Sequence, residues 1–248
     1  MKVTSCALRL LGGFRLELAG ADVNVPVNGQ RLLAYLSIRG LVPRADVAGT
    51  LWPDVTEHNA YGSLRTTMWR LHRIGAALVE TAGSSLALSP QVSVDVREFA
   101  DTAHSVLRHP VPTGGPVMDA ELRALSVAAD LLPGWYDDWV IFERERLRQL
   151  RLHTLEALAT GLAEQRRYAA ALDTALEAIR LEPLRESAHR VAIGIHLAEG
   201  NVAEAMRHFR FVRDLLRSEL GVEPSGELIG LLPAHLDVPA VTRIDMGR

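Results

Sequence analysis

A chain of 248 residues that is 48% hydrophobic and 23% charged has the composition of a globular protein with one large or two ordinary domains. Its net charge of −3 at pH 7 argues against a general binder of polyanions. The single cysteine, Cys6, excludes an internal disulfide and a cysteine-based zinc cluster.

The charge is unevenly distributed along the chain. Residues 1–97 contain 10 Lys and Arg against 7 Asp and Glu, whereas residues 98–248 contain 17 against 23. A mildly basic part followed by an acidic part suits a nucleic-acid module joined to a module with another role.

No run of about 18 apolar residues predicts a membrane span, and the N-terminus lacks a signal-peptide pattern. We therefore expect a cytoplasmic, nucleoid-associated protein.

Short apolar runs at the start of the chain predict a small antiparallel sheet. The runs at 7–11 and 14–18 flank the turn Gly12-Gly13. A third strand is predicted at 23–27, where Pro26 marks its end or an edge position.

Three predicted helices follow in helix-turn-helix order. The first begins at residue 28 or 29 and ends near Gly40, the second covers 43–51, and the third covers 57–74. A hairpin around 82–85 and a last strand at 92–96 complete the pattern. A hairpin directly after the third helix is the wing of a winged helix.

The helix at 57–74 has an apolar face and an arginine-bearing face. At roughly 100° per residue, the apolar side carries Ala60, Leu64, Met68 and Leu71. The other side carries Gly62, Arg65, Thr66, Trp69 and Arg73, with Arg70 on its flank. Arginine can bind a guanine edge or a phosphate, and glycine lets a backbone approach closely. The pattern predicts a DNA recognition helix; the alternative is a solvated surface helix.

The predicted contacts differ in role. Arg65 and Arg70 are assigned to base edges, which arginine recognises with two parallel hydrogen bonds. Thr66 and Trp69 are assigned to groove and backbone contacts, and Arg73 to a phosphate near the helix end.

Two further candidates lie outside this helix. Arg44, at the start of the second helix, is a second phosphate candidate, since backbone N–H groups at helix starts add to such contacts. Ser85 is a candidate contact in the wing, with turn formation as the commoner explanation for a serine there.

The C-terminal part reads as helical. Helices are predicted at 97–107 and 120–131, and a long one ends near residue 165. The sequence RYAAAL at 167–172 matches NVAEAM at 201–206 with an offset of 34 residues, which is typical of tetratricopeptide repeats. The aromatic residues Trp135, Tyr136 and Trp139 are expected to be packing anchors. Residues 233–248 lack periodicity and are expected to be disordered.

Several segments of the sequence resemble, in their order and spacing, the SARP family (Streptomyces antibiotic regulatory proteins). These segments are LRLLGGFRLEL, LLAYLSIRG, LWPDV and SLRTTMWRLHRI, followed by Val94-Asp95-Val96. The resemblance covers about residues 7–232. It implies an α+β winged helix-turn-helix domain of the OmpR type at 1–96. It also implies an all-α tetratricopeptide-like domain, the bacterial transcriptional activator domain, at 97–232. One departure is Ala87, where many relatives carry a basic residue in the wing strand.

The resemblance also implies a function. Such a protein activates transcription by binding direct repeats in double-stranded DNA near a promoter, two molecules side by side. It recruits RNA polymerase through its sigma factor and other subunits, and secondary-metabolite (antibiotic) gene clusters are the implied targets.

Other functions stay open from the sequence. They are a repressor or architectural DNA binder of the same fold, a helical-repeat scaffold that binds protein only, and a small-molecule sensor. An enzyme is not expected, because neither GxxxxGK[ST] nor GxSxG occurs. No cofactor and no metal site are expected, because the nine histidines are scattered without ligand spacing.

Overall fold

The structure is a computed structural model that describes residues 5–74, 77–108 and 129–232. Its described residues form two compact units, one comprising 5–108 with 129–151 and the other 152–232. The predicted tail at 233–248 and nearly all of the helix predicted at 120–131 lie outside the described residues.

The N-terminal sheet has four strands in the order β3-β2-β1-β7. Strands β1 (Cys6–Arg9), β2 (Arg15–Leu18) and β3 (Ala21–Val23) are antiparallel, whereas β7 (Val92–Val94) runs parallel to β1. The third strand was predicted at 23–27, which is wrong. A tight turn in which Gly20 has φ +81° starts the strand earlier, and the chain then enters a helix at Val27.

The helices and the wing follow as the fold class requires. They are α1 (Val27–Arg39), β4 (Val42–Pro43), α2 (Arg44–Leu51), α3 (Glu57–His72), β5 (Val79–Ala82) and β6 (Ser85–Leu88). The sheet order β4-β6-β5 ties the β5–β6 hairpin to the residues that precede α2. The winged helix-turn-helix prediction is confirmed.

Helix α1 is the centre of this unit. Its residues 32–37 are six consecutive buried positions, so the helix is packed on every side instead of along one stripe. It contacts α2, α3, α4 (Asp95–Arg108) and β6. At Gly29 an added Cβ would lie 2.9 Å from Val25 and 3.0 Å from Leu71, so this glycine permits the close approach of α3.

Polar contacts fasten α4 to the same unit. Its first residue, Asp95, accepts hydrogen bonds from the backbone N–H groups of Leu10 and Leu11 at 3.0 and 3.1 Å. The guanidinium of Arg97 donates to the carbonyl oxygens of Leu36 and Ser37 at the end of α1. The Leu36 carbonyl also accepts from the Gly40 N–H at 3.0 Å, so the arginine adds donors to the C-terminal end of α1.

The remaining described elements are helices. They are α5 (Asp138–Glu164), α6 (Tyr168–Leu181), α7 (Glu186–Glu199), α8 (Val202–Leu220) and the short α9 (Gly226–Ile229). Helices α6 and α8 begin just inside the two copies of the 34-residue repeat. Fully buried alanines on α6, α7 and α8 let neighbouring helices approach closely; they are Ala171, Ala175, Ala178, Ala188, Ala192 and Ala205. The helical-repeat prediction is confirmed.

Two local expectations fail in the segment before α5. The helix predicted to end at Leu131 does not reach that residue, which forms an antiparallel bridge with Leu11. Tyr136 is 81% exposed and is no packing anchor, whereas Trp135 and Trp139 do pack, on Phe14 and Tyr35 respectively.

Two histidines that are distant in the sequence form a pair between α7 and α8, in which His189 is buried and His208 is half-buried. His189 Nε2 lies 2.8 Å from the carbonyl oxygen of Pro183, which can only accept, so this nitrogen carries the proton. Its Nδ1 then accepts from His208 Nε2 at 2.9 Å. Burial lowers the pKa of both rings. It lowers the pKa of His208 to about 4, with help from the nearby rings of His189 and His196.

We expect the helical-repeat unit to lose stability as the pH falls from about 6.5 to about 4. An unfolded His208 binds a proton near pH 6.5, but the folded ring resists it until about pH 4. The stability is therefore complete above about pH 6.5 and declines below it, by at most about 2 kcal/mol at pH 5, because solvent reaches the half-buried ring and weakens the effect. Urea unfolding at pH 7.5 and 5.0 measures this. His208→Gln, which cannot titrate, should flatten the dependence; an equally steep profile in that variant would contradict the assignment.

Candidate nucleic-acid interface

Helix α3 presents one face to the core and the opposite face to solvent. Its buried positions are Ala60, Leu64, Thr67 and Leu71. The sequence had placed Met68 in this stripe, which is wrong, because it is only half-buried. The spacing from 60 to 67 stays closer to a whole number of helical turns than the spacing from 60 to 68. The buried Thr67 hydroxyl is satisfied by donating to the Ser63 carbonyl at 2.8 Å.

The charges along α3 suit a helix of this direction. Glu57 lies in its first turn, and Arg70 and His72 lie in its last. Thr56 occupies the N-cap position in extended geometry, although its side chain makes no capping hydrogen bond. The basic residues at the C-terminal end of α3 thus include two of the predicted DNA contacts, Arg70 and Arg73.

The predicted contact residues of α3 share the solvent-facing side. Arg65, Thr66, Trp69, Arg70 and Arg73 are all exposed. Trp69 is 58% exposed, and the Arg73 guanidinium carbon lies 4.9 Å from the centre of its ring. This cation–π contact orders two long side chains on an open surface.

The guanidinium groups of Arg65 and Arg70 make no hydrogen bond or ion pair with any described residue. Elsewhere in the described chain, exposed arginines such as Arg207 pair with a carboxylate one turn away. Two unpaired guanidiniums on one helix face leave ten N–H donor positions for an external acceptor. Planar donor pairs of this kind match phosphate oxygens and the acceptor edge of guanine.

Gly62 and Thr66 have the small side chains of this face. The Thr66 hydroxyl donates to the Gly62 carbonyl at 3.0 Å within the helix, which leaves its methyl group and oxygen lone pairs outward. A Cβ added at Gly62 would meet only Arg65 Nη2, at 4.0 Å. Packing within the described protein thus gives no reason for a glycine, although glycine weakens a helix by about 1 kcal/mol relative to alanine.

The wing and the start of α2 are fastened together. Arg44 Nη2 donates to Thr81 Oγ1 at 3.1 Å, and the Arg44 backbone N–H donates to the Ser84 carbonyl at 2.9 Å. Ser85 is half-buried and pairs with Pro43 and Ala82 in the sheet, so it lies in a strand beside the turn. Arg44 therefore has a structural contact besides its predicted role, and Ser85 offers a smaller exposed surface than the sequence suggested.

Arg31 is a residue that sequence reasoning missed. It lies on α1, and its guanidinium contacts the end of α2 and the segment before α5. Its only signal in the sequence is an arginine directly before the apolar run 32–36, which does not identify its partners.

Comparison with known proteins gives the family of the C-terminal part. Residues 120–233 match the model of the bacterial transcriptional activator domain. The fold resembles the structure of Mycobacterium tuberculosis EmbR, solved in complex with a low-affinity phosphopeptide, with a TM-score of 0.75 at 18% identity. The match covers 92% of this chain and 64% of that one. No curated protein matches the sequence.

An N-terminal winged helix followed by a bacterial transcriptional activator domain is the organisation that the sequence resemblance implied. The matched activator domain lies in residues 120–233, and the shared fold covers 92% of the chain, in agreement with that organisation. None of the described helices is long and apolar enough to span a membrane. Within residues 5–74, 77–108 and 129–232, His, Cys, Asp and Glu form no group of three or more that could hold a metal ion.

We expect Gly62→Ala to stabilise the protein and, if α3 is the recognition helix, to weaken its binding to DNA. Removing a helix-interior glycine where the added methyl meets open space should raise the free energy of unfolding by about 0.5–1 kcal/mol. The same methyl stands on the face assigned to DNA and would obstruct a closely approaching backbone. Urea unfolding and fluorescence anisotropy with labelled duplex measure the two effects.

Gly194→Ala, on α7, is the matched control because its added Cβ meets nothing within 4 Å. It should stabilise the protein and leave DNA binding unchanged. Equal DNA affinity for Gly62→Ala and the wild type would show that no DNA backbone approaches this part of α3.

Proposed function

We propose that this protein is a sequence-specific DNA-binding activator of transcription. The observation that carries the proposal is the solvent face of α3, where Arg65 and Arg70 lack partners among the described residues. Helix α3 enters the major groove, and Arg65 and Arg70 read base edges. Thr66 and Trp69 contact the groove wall and sugar–phosphate backbone, and Arg73 contacts a phosphate.

The fixed hairpin and α2 complete the DNA-binding surface in this proposal. Arg44 and the backbone N–H groups at the start of α2 lie beside the wing and contact phosphates flanking the groove. Ser85 takes a minor part from its strand position. Phosphate contacts fix the orientation of the protein, so that base contacts by α3 become sequence-selective.

The rest of the proposal concerns the promoter. Two molecules bind direct repeats side by side, and the helical repeats meet RNA polymerase, including its sigma factor. Head-to-tail binding needs two different surface patches and leaves an open end that can contact polymerase. The family resemblance supports secondary-metabolite gene clusters as the targets, with the protein acting at the nucleoid in the cytoplasm.

Single alanine substitutions at Arg65, Arg70 and Arg73 test the DNA-binding surface. The probe is a duplex selected by the wild-type protein from a random-sequence library. Loss of a base-reading arginine should cost about 1–3 kcal/mol and relax the preference at one operator position. Loss of a phosphate contact should weaken all sequences evenly and lower the salt slope by about 1.

The matched control is Arg15→Ala, which removes the same charge from an exposed position on β2. Among the described residues, Arg15 makes one ion pair, a long contact of 3.9 Å with Asp22. This variant should leave selective binding unchanged. If all three α3 variants bind the selected duplex like the wild type, α3 is not the recognition helix.

Activation by recruitment is tested in a purified transcription system with polymerase, sigma factor and a promoter that carries the selected repeats. The regulator should raise transcript levels at the native spacing. Moving the repeats by half a helical turn, about 5 base pairs, should abolish activation but not binding, because the contact surface then faces away. Activation that survives the shift contradicts a rigid contact, and repression at the native spacing identifies a repressor.

A further inference from the structure

Residues 130–139 are built into the unit that contains the winged helix. The Gly12 N–H donates to the Asp130 carbonyl at 2.8 Å, and the Leu132 N–H donates to the Leu10 carbonyl at 2.9 Å. Trp135 stacks on Phe14, with 6.5 Å between ring centres. The segment thus adds hydrogen bonds and an aromatic ring to the end of β1 and the β1–β2 turn.

Arg144 holds the same segment in shape. Its guanidinium donates to the carbonyl oxygens of Leu131, Leu132 and Trp135 at 2.9, 2.8 and 3.1 Å. Three hydrogen bonds from one charged group fix the backbone that carries the next residues of the segment. The positions of Asp137 and Trp139 are therefore determined by a rigid support.

Asp137 reaches the helix-turn-helix through Arg31. Arg31 Nη2 lies 2.5 Å from Asp137 Oδ1, and Arg31 Nη1 donates to the Leu51 carbonyl at 2.8 Å. About a fifth to a quarter of each side chain of the ion pair is exposed, at 24% for Arg31 and 22% for Asp137. Leu51 is the last residue of α2, so one planar guanidinium connects the carboxylate to the turn that leads into α3.

Trp139 reaches the same end of α2 by a second route. Its ring, 5% exposed, packs edge-on against Tyr35 with 5.3 Å between centres. The Tyr35 hydroxyl lies 3.4 Å from Thr50 Oγ1, at the end of α2. Two independent contacts from one short segment therefore meet the residues directly before the α2–α3 connection.

We propose that Asp137 and Trp139 are positioning residues for DNA recognition, acting through Arg31 and Tyr35 to fix the end of α2 and hence the orientation of α3. This inference rests on the proposed function. Base-edge hydrogen bonds need exact donor placement, whereas phosphate attraction tolerates small displacements. Loosening this support should therefore reduce binding to the selected sequence more than binding to unrelated DNA.

The test variant is Asp137→Ser, because serine retains an N-cap oxygen at the start of α5 but is too short to pair with Arg31. Arg31→Lys is a second variant, since lysine retains the charge but lacks the planar fork that makes both contacts. Asp138→Ser is the matched control. It removes the same charge one residue away, at an exposed position, and leaves the ion pair between Arg31 and Asp137 in place.

Two measurements are made on the full chain. In fluorescence anisotropy, Asp137→Ser and Arg31→Lys should weaken binding to the selected duplex by about 3- to 30-fold. Binding to a shuffled duplex of equal composition should stay within about twofold, with the salt slope unchanged. In hydrogen exchange without DNA, amides of residues 57–72 should exchange faster in both variants. Asp138→Ser should match the wild type in each measurement.

Each result decides one claim. An equal loss of affinity for both duplexes would mean that Asp137 and Arg31 have a general electrostatic or folding role. Unchanged hydrogen-exchange rates of the amides in residues 57–72 would overturn the positioning role. If the wild-type protein selects no sequence, the proposed DNA-binding function fails, while the exchange measurement still decides whether Asp137 controls the order of α3.

Discussion

The burial of α1 on every side is the constraint on which the first unit depends. Six consecutive residues, 32–37, lie away from solvent, so each neighbouring element must provide a surface that fits the helix. A helix enclosed in this way also has polar ends that water cannot satisfy. Arg97 supplies donors to the carbonyls at its C-terminal end, and Arg31 extends from it to the last carbonyl of α2. The position of α3 is consequently set by the packing around α1 and by these two arginines, and only in part by its own sequence.

The packing around α1 also explains why α3 can have so many exposed functional side chains. Four residues fasten it to the core, and Gly29 lets Leu71 pack unusually close to α1. Because that narrow stripe provides the packing, the opposite face is free to carry Trp69, whose exposure to water stabilises nothing in the fold. The cation–π contact with Arg73 limits the freedom of the tryptophan without burying it. An exposed tryptophan beside arginines without partners among the described residues is a surface that a partner can cover, and we propose that this partner is DNA.

Local patterns in the sequence predicted much of the fold. Turn glycines and apolar runs located the first two strands, the three helices of the winged helix and the hairpin, and the 34-residue offset located the repeats. The errors arose where distant contacts decide. Leu131 pairs with Leu11, and His189 finds His208, through packing that no window of sequence contains. Among three neighbouring aromatic residues, periodicity could not distinguish Tyr136, which faces solvent, from Trp135 and Trp139. The sequence predicted which face of α3 is exposed to solvent. It could not reveal that Arg44, at the start of α2, contacts the wing.

The boundary between the domains is also decided by contacts between distant residues and not by local sequence patterns. The separation predicted between residues 96 and 97 stays a prediction, yet residues 129–151 belong to the compact unit of the winged helix while lying inside the match to the activator domain. A fragment that ended at residue 97 would leave Arg31 without its carboxylate and uncover the rings of Phe14 and Tyr35. Each loss has a cost, since an unpaired, partly buried charge and exposed aromatic surface both favour unfolding. The activator domain therefore begins, in physical terms, by completing the core of the domain before it, and the segment that does so is the one that reaches the end of α2.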